Sequence, residues 1–112
     1  MKRIEAVIRP AKVGDVCCAL EKIDCPGLMI SEIEGHGKQK GLEQQLRGKT
    51  YRVDLLTKAR VEIIANDEDA ERIVDTIQHV ACTGKMGDGK IFIYPVDDVV
   101  RIRTAEKGEI AV

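Results

Sequence analysis

Val61-Glu62-Ile63-Ile64-Ala65-Asn66-Asp67-Glu68-Asp69-Ala70-Glu71-Arg72-Ile73-Val74-Asp75-Thr76-Ile77-Gln78-His79-Val80-Ala81 changes its apolar period halfway along, and that change decides the fold. Val61, Ile63 and Ile64, with Val53 and Leu55 before them, mark a strand. Asn66-Asp67-Glu68-Asp69 reads as an N-cap and an acidic first turn, favoured by the free N–H groups and dipole of a helix start. Ala70, Ile73, Val74, Ile77, Val80 and Ala81 then follow helical spacing. The glycine-rich stretch from Thr83 to Lys90 stops the helix, and Ile91 to Val96 form another apolar strand.

The amino-terminal part repeats this alternation of elements. Ile4, Ala6 and Ile8 alternate with Arg3, Glu5 and Arg9, which predicts a strand ended by Pro10. Val13, Val16, Cys17, Leu20 and Ile23 predict a helix from about Ala11 to Asp24, with Cys17 as a small core residue. Pro26-Gly27 breaks the chain, and Leu28, Ile30 and Ile33 begin the second strand. Val99 to Arg103 could add a short last strand, followed by a mobile tail. The order β-α-β-β-α-β predicts an α+β, ferredoxin-like domain, one antiparallel sheet backed by two helices. The 112 residues suffice for one such domain, spanning 1–112. Many functions share this fold, so it fixes none.

Thr83-Gly84-Lys85-Met86-Gly87-Asp88-Gly89-Lys90 carries the chemistry. Glycines permit positive φ and close backbone approach, and successive N–H groups in such a turn make an anion site. Lys85 and Lys90 add charge, so the stretch at about 82–90 is expected to bind phosphate. Gly84 to Lys90 spells G-x-x-x-x-G-K, but Ile91 stands where a P-loop has its magnesium-binding hydroxyl. A P-loop also follows a strand and opens a helix, whereas here helix precedes and strand follows. The P-loop reading is rejected and the phosphate reading kept.

Composition narrows the function further. With 18 Lys and Arg against 19 Asp and Glu the net charge is near zero, and there is one Phe and no Trp. Nucleic-acid binding by stacked bases is therefore poorly supported. No apolar run nears the ~20 residues of a transmembrane helix. Cys17, Cys18, Cys25 and Cys82 form no C-x-x-C pair, and His36 and His79 have no ligand spacing to them. A reduced, cytoplasmic setting fits.

One connection departs from a minimal fold. From about 37 to 55, between strands two and three, no apolar period appears near Lys38 to Tyr51. This long connection carries Lys38, Lys40, Arg47, Lys49 and Arg52 against Glu43 alone before Asp54. Loops of this length inside small domains are usually functional or disordered, so it reads as a mobile basic arm able to order around a ligand or partner.

Four stretches together resemble the nitrogen-regulatory PII signal-transduction family. They are Gly35-His36-Gly37-Lys38-Gln39-Lys40-Gly41, Arg47-Gly48-Lys49-Thr50-Tyr51, Thr83 to Phe92, and Arg101-Ile102-Arg103-Thr104. They occur in the family's order and span the chain. The resemblance implies a homotrimer with ATP or ADP in clefts between subunits, magnesium on the phosphates, and 2-oxoglutarate as effector. It implies a non-enzymatic sensor that regulates nitrogen assimilation. Its long loop would dock on an ammonium transporter or on nitrogen-metabolism enzymes and regulators, with cytoplasmic residence and reversible recruitment to the membrane through the transporter.

Residue by residue, the resemblance implies nucleotide contacts from Gly35, Gly37, Lys38, Gln39, Glu62, Ile64, Gly87, Asp88, Gly89, Lys90, Arg101 and Arg103. Gln39 would also meet magnesium, and Gln39, Lys58 and Gly87 would hold 2-oxoglutarate. Arg47 matches a channel-docking arginine, and Tyr51 matches the tyrosine that a uridylyltransferase modifies in some members. Lys38 and Met29 depart from the family's common Arg and hydroxyl residue. Independently of the family, Arg101 and Arg103 stand two apart and would share one side of an extended segment at about 98–112. The rival is a small phosphoryl-transfer or acylphosphatase-like enzyme, for which Asp88 is the one obvious base or nucleophile near the loop.

Overall fold

Alternation along the first strand sorts the molecule into two faces. The computed structural model describes residues 1–36, 42–46, 49–53 and 55–112, and of 35–55 the backbone alone. In chain order the elements are β1 (Lys2–Ile8), α1 (Val13–Lys22), β2 (Leu28–His36), β3 (Leu42–Leu46), β4 (Lys49–Val53), β5 (Leu55–Ala65), α2 (Asp67–Ala81) and β6 (Gly89–Pro95). Ile4, Ala6 and Ile8 of β1 are buried, as are Ala59, Val61, Ile63 and Ala65 of β5. They form one core with Val16 and Leu20 of α1 and Ala70, Ile73, Ile77 and Ala81 of α2. Each large aliphatic among them contributes roughly 1.5–3 kcal/mol by leaving water. Both helices therefore lie on one side of a four-stranded sheet of order β2-β5-β1-β6. Every pairing in that sheet is antiparallel, which is the ferredoxin-like arrangement expected from the element order.

The other face carries Arg3, Glu5 and Val7 of β1, Arg60, Glu62 and Ile64 of β5, and Phe92 and Tyr94 of β6. Their registers follow from Arg3 lying opposite Ile64 and Tyr94, and Glu5 opposite Glu62 and Phe92. Arg3 reaches Glu5 at 3.2 Å and Glu62 at 3.7 Å, and stands 4.3 Å over the Tyr94 ring. Arg60 reaches Glu5 at 3.9 Å. No element of this chain among the described residues packs over this face, and Phe92 remains 41% exposed.

Several local expectations change. Two antiparallel strands, β3 and β4, lie where the sequence shows no period, with Gln44 opposite Tyr51. A strand pair held by backbone hydrogen bonds does not require an apolar face, so it can leave no alternation to read. The expected third strand from Val53 onward is two strands, one ending at Val53 and one beginning at Leu55. α1 is shorter than predicted because a 3₁₀ turn, Pro10–Lys12, precedes it. Its end falls near Asp24 as predicted, where Asp24 takes a left-handed φ of 54°. The Asp24 N–H donates to the Glu21 carbonyl (3.1 Å) and the Cys25 N–H to that of Leu20 (3.1 Å), a Schellman closure. Cys17 lies at the margin of the stripe and is half-buried, not core.

Asn66 begins α2 as predicted, but its side chain caps no N–H. Its backbone carbonyl accepts from Asp69 and Ala70 at 3.0 and 3.1 Å, and the first-turn Asp67 pairs with the amino terminus at 2.9 Å. At the carboxyl end there is no strand from Val99 to Arg103. Val100 and Lys107 form a single bridge around a turn closed by hydrogen bonds between Arg101 and Glu106 and between Ala105 and Arg101. Ala105 takes φ 59° to reverse the chain. The expected mobile tail is thus a folded turn followed by a 3₁₀ segment, Gly108–Ala111. No helix among the described residues is long and apolar enough to cross a membrane.

Candidate functional site

The chain leaves α2 at Cys82 and enters β6 at Gly89, opposite Ile8 at the carboxyl end of β1. Between them the loop turns on Gly84, Gly87 and Gly89, with φ of 80°, 100° and 99°. A Cβ on Gly89 would lie 1.7 Å from the Val7 carbonyl oxygen, so glycine is the one residue that allows β6 to begin this close to β1. An open groove of about 490 Å³ runs beside the loop between α2 and β6, and Ile77, Ile91, Asp88 and Lys90 are among the residues that line it.

Asp88 organises the loop. Its Oδ2 accepts the backbone N–H groups of Thr83 (2.7 Å) and Gly84 (2.9 Å). Its Oδ1 accepts the Thr83 hydroxyl and the Arg9 Nε–H, the latter at 3.0 Å. Four donors occupy one carboxylate. The Thr83 hydroxyl first, then the Thr83 N–H, with Arg9 and Gly84 adding to them, hold its carboxyl well below the usual carboxylate range. The N–H groups of Thr83 and Gly84 already hold an anion, and that anion belongs to the protein.

Two cations, one just past the end of β1 and one in β5, complete the corner. Arg9 also donates through Nη2 to the Met86 carbonyl at 2.8 Å. Lys58 Nζ, from β5, donates to the Gly87 carbonyl at 2.5 Å. Burial first, and then the neighbouring Arg9 charge, push the Lys58 pKa down, with Asp88 partly opposing them. A low-pKa lysine near an arginine is a place where added negative charge is welcome. Lys90 follows in β6 and is exposed.

The structure thus brings Lys58, Gly87, Asp88, Gly89 and Lys90 to one end of the sheet. Glu62 and Ile64 lie on the open face of β5, where Glu62 pairs with Arg3 and faces Met29 of β2 across the ladder. Gly35 sits in β2 opposite Leu56. Arg101 and Arg103 do not share an extended face, because the turn intervenes. Arg101 binds Glu106 (3.1 Å) and the Ile110 carbonyl (3.3 Å), within its own segment. β6 has by then carried the chain to the opposite end of the sheet from the glycine loop. Gly37, Lys38, Gln39 and Arg47 lie outside the described residues, as does the side chain of Tyr51. Sequence reading missed Arg9 and Thr83. Arg9 is 79 positions from Asp88, and its one signal was a cation at a strand end.

An antiparallel sheet backed by two helices, with a cation-lined glycine loop at one corner and an arm between β2 and β5, defines a small α+β domain of the ferredoxin-like class. The family description "Nitrogen regulatory protein P-II" matches residues 1–106. The chain is 52% identical over 112 residues to nitrogen regulatory protein P-II 2 of Methanothermobacter thermautotrophicus, covering all of this chain and 97% of that one. It is 47% identical over 108 residues to nitrogen regulatory protein P-II of Azospirillum brasilense, covering 96% of each. With that of Pasteurella multocida it shares 45% over the full length of both. The chain belongs to the nitrogen regulatory P-II family, whose role is signal transduction in nitrogen regulation.

Proposed function

We propose that this chain senses ATP or ADP together with 2-oxoglutarate and passes the result to targets through the arm between β2 and β5. The observation that carries this reading is the Lys58–Gly87 hydrogen bond. It places the lysine expected to meet 2-oxoglutarate directly against the loop expected to meet phosphate. A dicarboxylate at Lys58 and a polyphosphate at Gly87, Gly89 and Lys90 would share one wall, so each would alter the other's site.

The donor set fits a polyphosphate: glycine backbone that permits close approach and an exposed Lys90. Asp88, taken up by its own loop and Arg9, offers magnesium no free oxygen. The metal would take Gln39, outside the described residues, with phosphate and water completing its shell. Arg101 and Arg103 would come from a neighbouring subunit, which the homotrimer supplies. The uncovered sheet face, with Phe92 and Tyr94 among paired charges, suits that assembly. Targets would include an ammonium transporter, through Arg47, and enzymes or regulators of nitrogen metabolism. Tyr51 is the residue a uridylyltransferase would modify. The protein would reside in the cytoplasm and reach the membrane through the transporter.

An effector can bias the arm only through different affinities for its states, and the coupling between two ligands is reciprocal. The enzyme alternative asks Asp88 to act as a base or nucleophile. A carboxylate with lowered pKa and four donors is poorly suited, since efficient bases titrate near the working pH.

Equilibrium dialysis with labelled 2-oxoglutarate tests the shared wall. Retention is expected only with ATP and magnesium present, and to be lost in Lys58→Gln. Equal retention without nucleotide, or undiminished retention in Lys58→Gln, would overturn it.

A further inference from the structure

We propose that Asp88, Thr83 and Arg9 act as positioning residues for the phosphate-binding half of the glycine loop, an inference that rests on the nucleotide reading above. The loop has two halves with different tasks. Thr83 and Gly84 point their N–H groups at Asp88, at 2.7 and 2.9 Å, which closes the first half on itself. The Lys85 N–H donates to the Thr83 hydroxyl at 3.2 Å, while that hydroxyl donates to Asp88. From just beyond the end of β1, Arg9 holds the same carboxylate and the Met86 carbonyl beside it. Gly87 and Gly89 flank Asp88, so fixing its carboxylate fixes the two positive-φ glycines through which the backbone would approach phosphate.

A carboxylate in a phosphate site is otherwise hard to explain. Unpaired, it would repel the ligand. Here the Arg9 guanidinium and three further donors take up its charge, and its oxygens have no remaining capacity to bind nucleotide or metal. Its work is therefore done before the ligand arrives, by removing the ordering cost from binding.

Asn cannot replace it, since one end of the amide is a donor and would face donors. Asp88→Asn is expected to speed amide exchange at Thr83 and Gly84. It is also expected to weaken ATP binding about tenfold, the scale of losing one charged hydrogen bond. Thr83→Val is expected to weaken ATP binding as well, and Thr83→Ser, which keeps the hydroxyl, to restore it. A merely structural threonine would show no such rescue in affinity. ATP binding in Asp88→Asn or Asp88→Ala as tight as in the parent, or tighter, would overturn the inference and mark the carboxylate as a bystander or a competitor. If the parent protein binds no ATP while exchange still quickens in Asp88→Asn, the nucleotide reading itself fails and the positioning role falls with it.

Discussion

Gly89 shows how much can rest on a missing atom. A Cβ there meets the Val7 carbonyl oxygen at 1.7 Å, and φ of 99° disfavours any side chain. Gly89→Ala is expected to cost about 3 kcal/mol, the sum of a backbone clash and left-handed strain, read as a lowered urea midpoint. An unchanged midpoint would mean the strand entry adapts. Asp88 sets a second expectation. Its folded pKa is depressed, so its stabilisation is present above the unfolded carboxylate pKa of about 3.9 and is lost as pH falls toward the folded value. The stability gap between the parent and Asp88→Asn should narrow progressively below about pH 4. A gap independent of pH would assign the difference to shape rather than charge. The sequence names the loop's glycines because their chemistry is local. It does not name Arg9 or Thr83, because their roles are defined by Asp88, which for Arg9 is 79 residues away.

At the scale of elements, the sequence is legible wherever one face is buried. Ile4, Ala6 and Ile8 alternate because helices cover one side of β1, and α2 shows its stripe because Ile73 and Ile77 are fully buried. Elsewhere the reading fails. β3 and β4 pair through their backbones in a stretch without apolar period. The carboxyl-terminal turn looks like a strand, since Val99, Val100 and Ile102 are β-formers, yet Ile102 is 99% exposed and the chain reverses at Ala105. The end of α1 near Asp24 does read from the apolar spacing, but the left-handed Asp24 that closes it, in a conformation usually left to glycine, leaves no such signal.

The whole molecule is a half-covered sheet. Its helical side is closed by the core, while its other side presents Phe92, Tyr94 and the Arg3–Glu5–Glu62–Arg60 charges with no cover from the chain's described residues. The homotrimer proposed above would bury this face. Phe92→Glu should then shift sedimentation toward the 12.4 kDa single chain while leaving the far-ultraviolet spectrum intact. A parent protein that sediments as a single chain would rule the assembly out. A variant still assembled like the parent would place the contact elsewhere. The candidate site shares this incompleteness. Its glycine loop and its arginine pair leave opposite ends of β6, so the sequence could name both groups without showing that one chain does not join them. The central claim is that nucleotide and effector meet at Lys58 and Gly87. Calorimetric titration of ATP with magnesium, with and without 2-oxoglutarate, tests it most directly. The account predicts tighter ATP binding with 2-oxoglutarate and an equal factor in the reverse titration. ATP affinity that is the same in both titrations would contradict it.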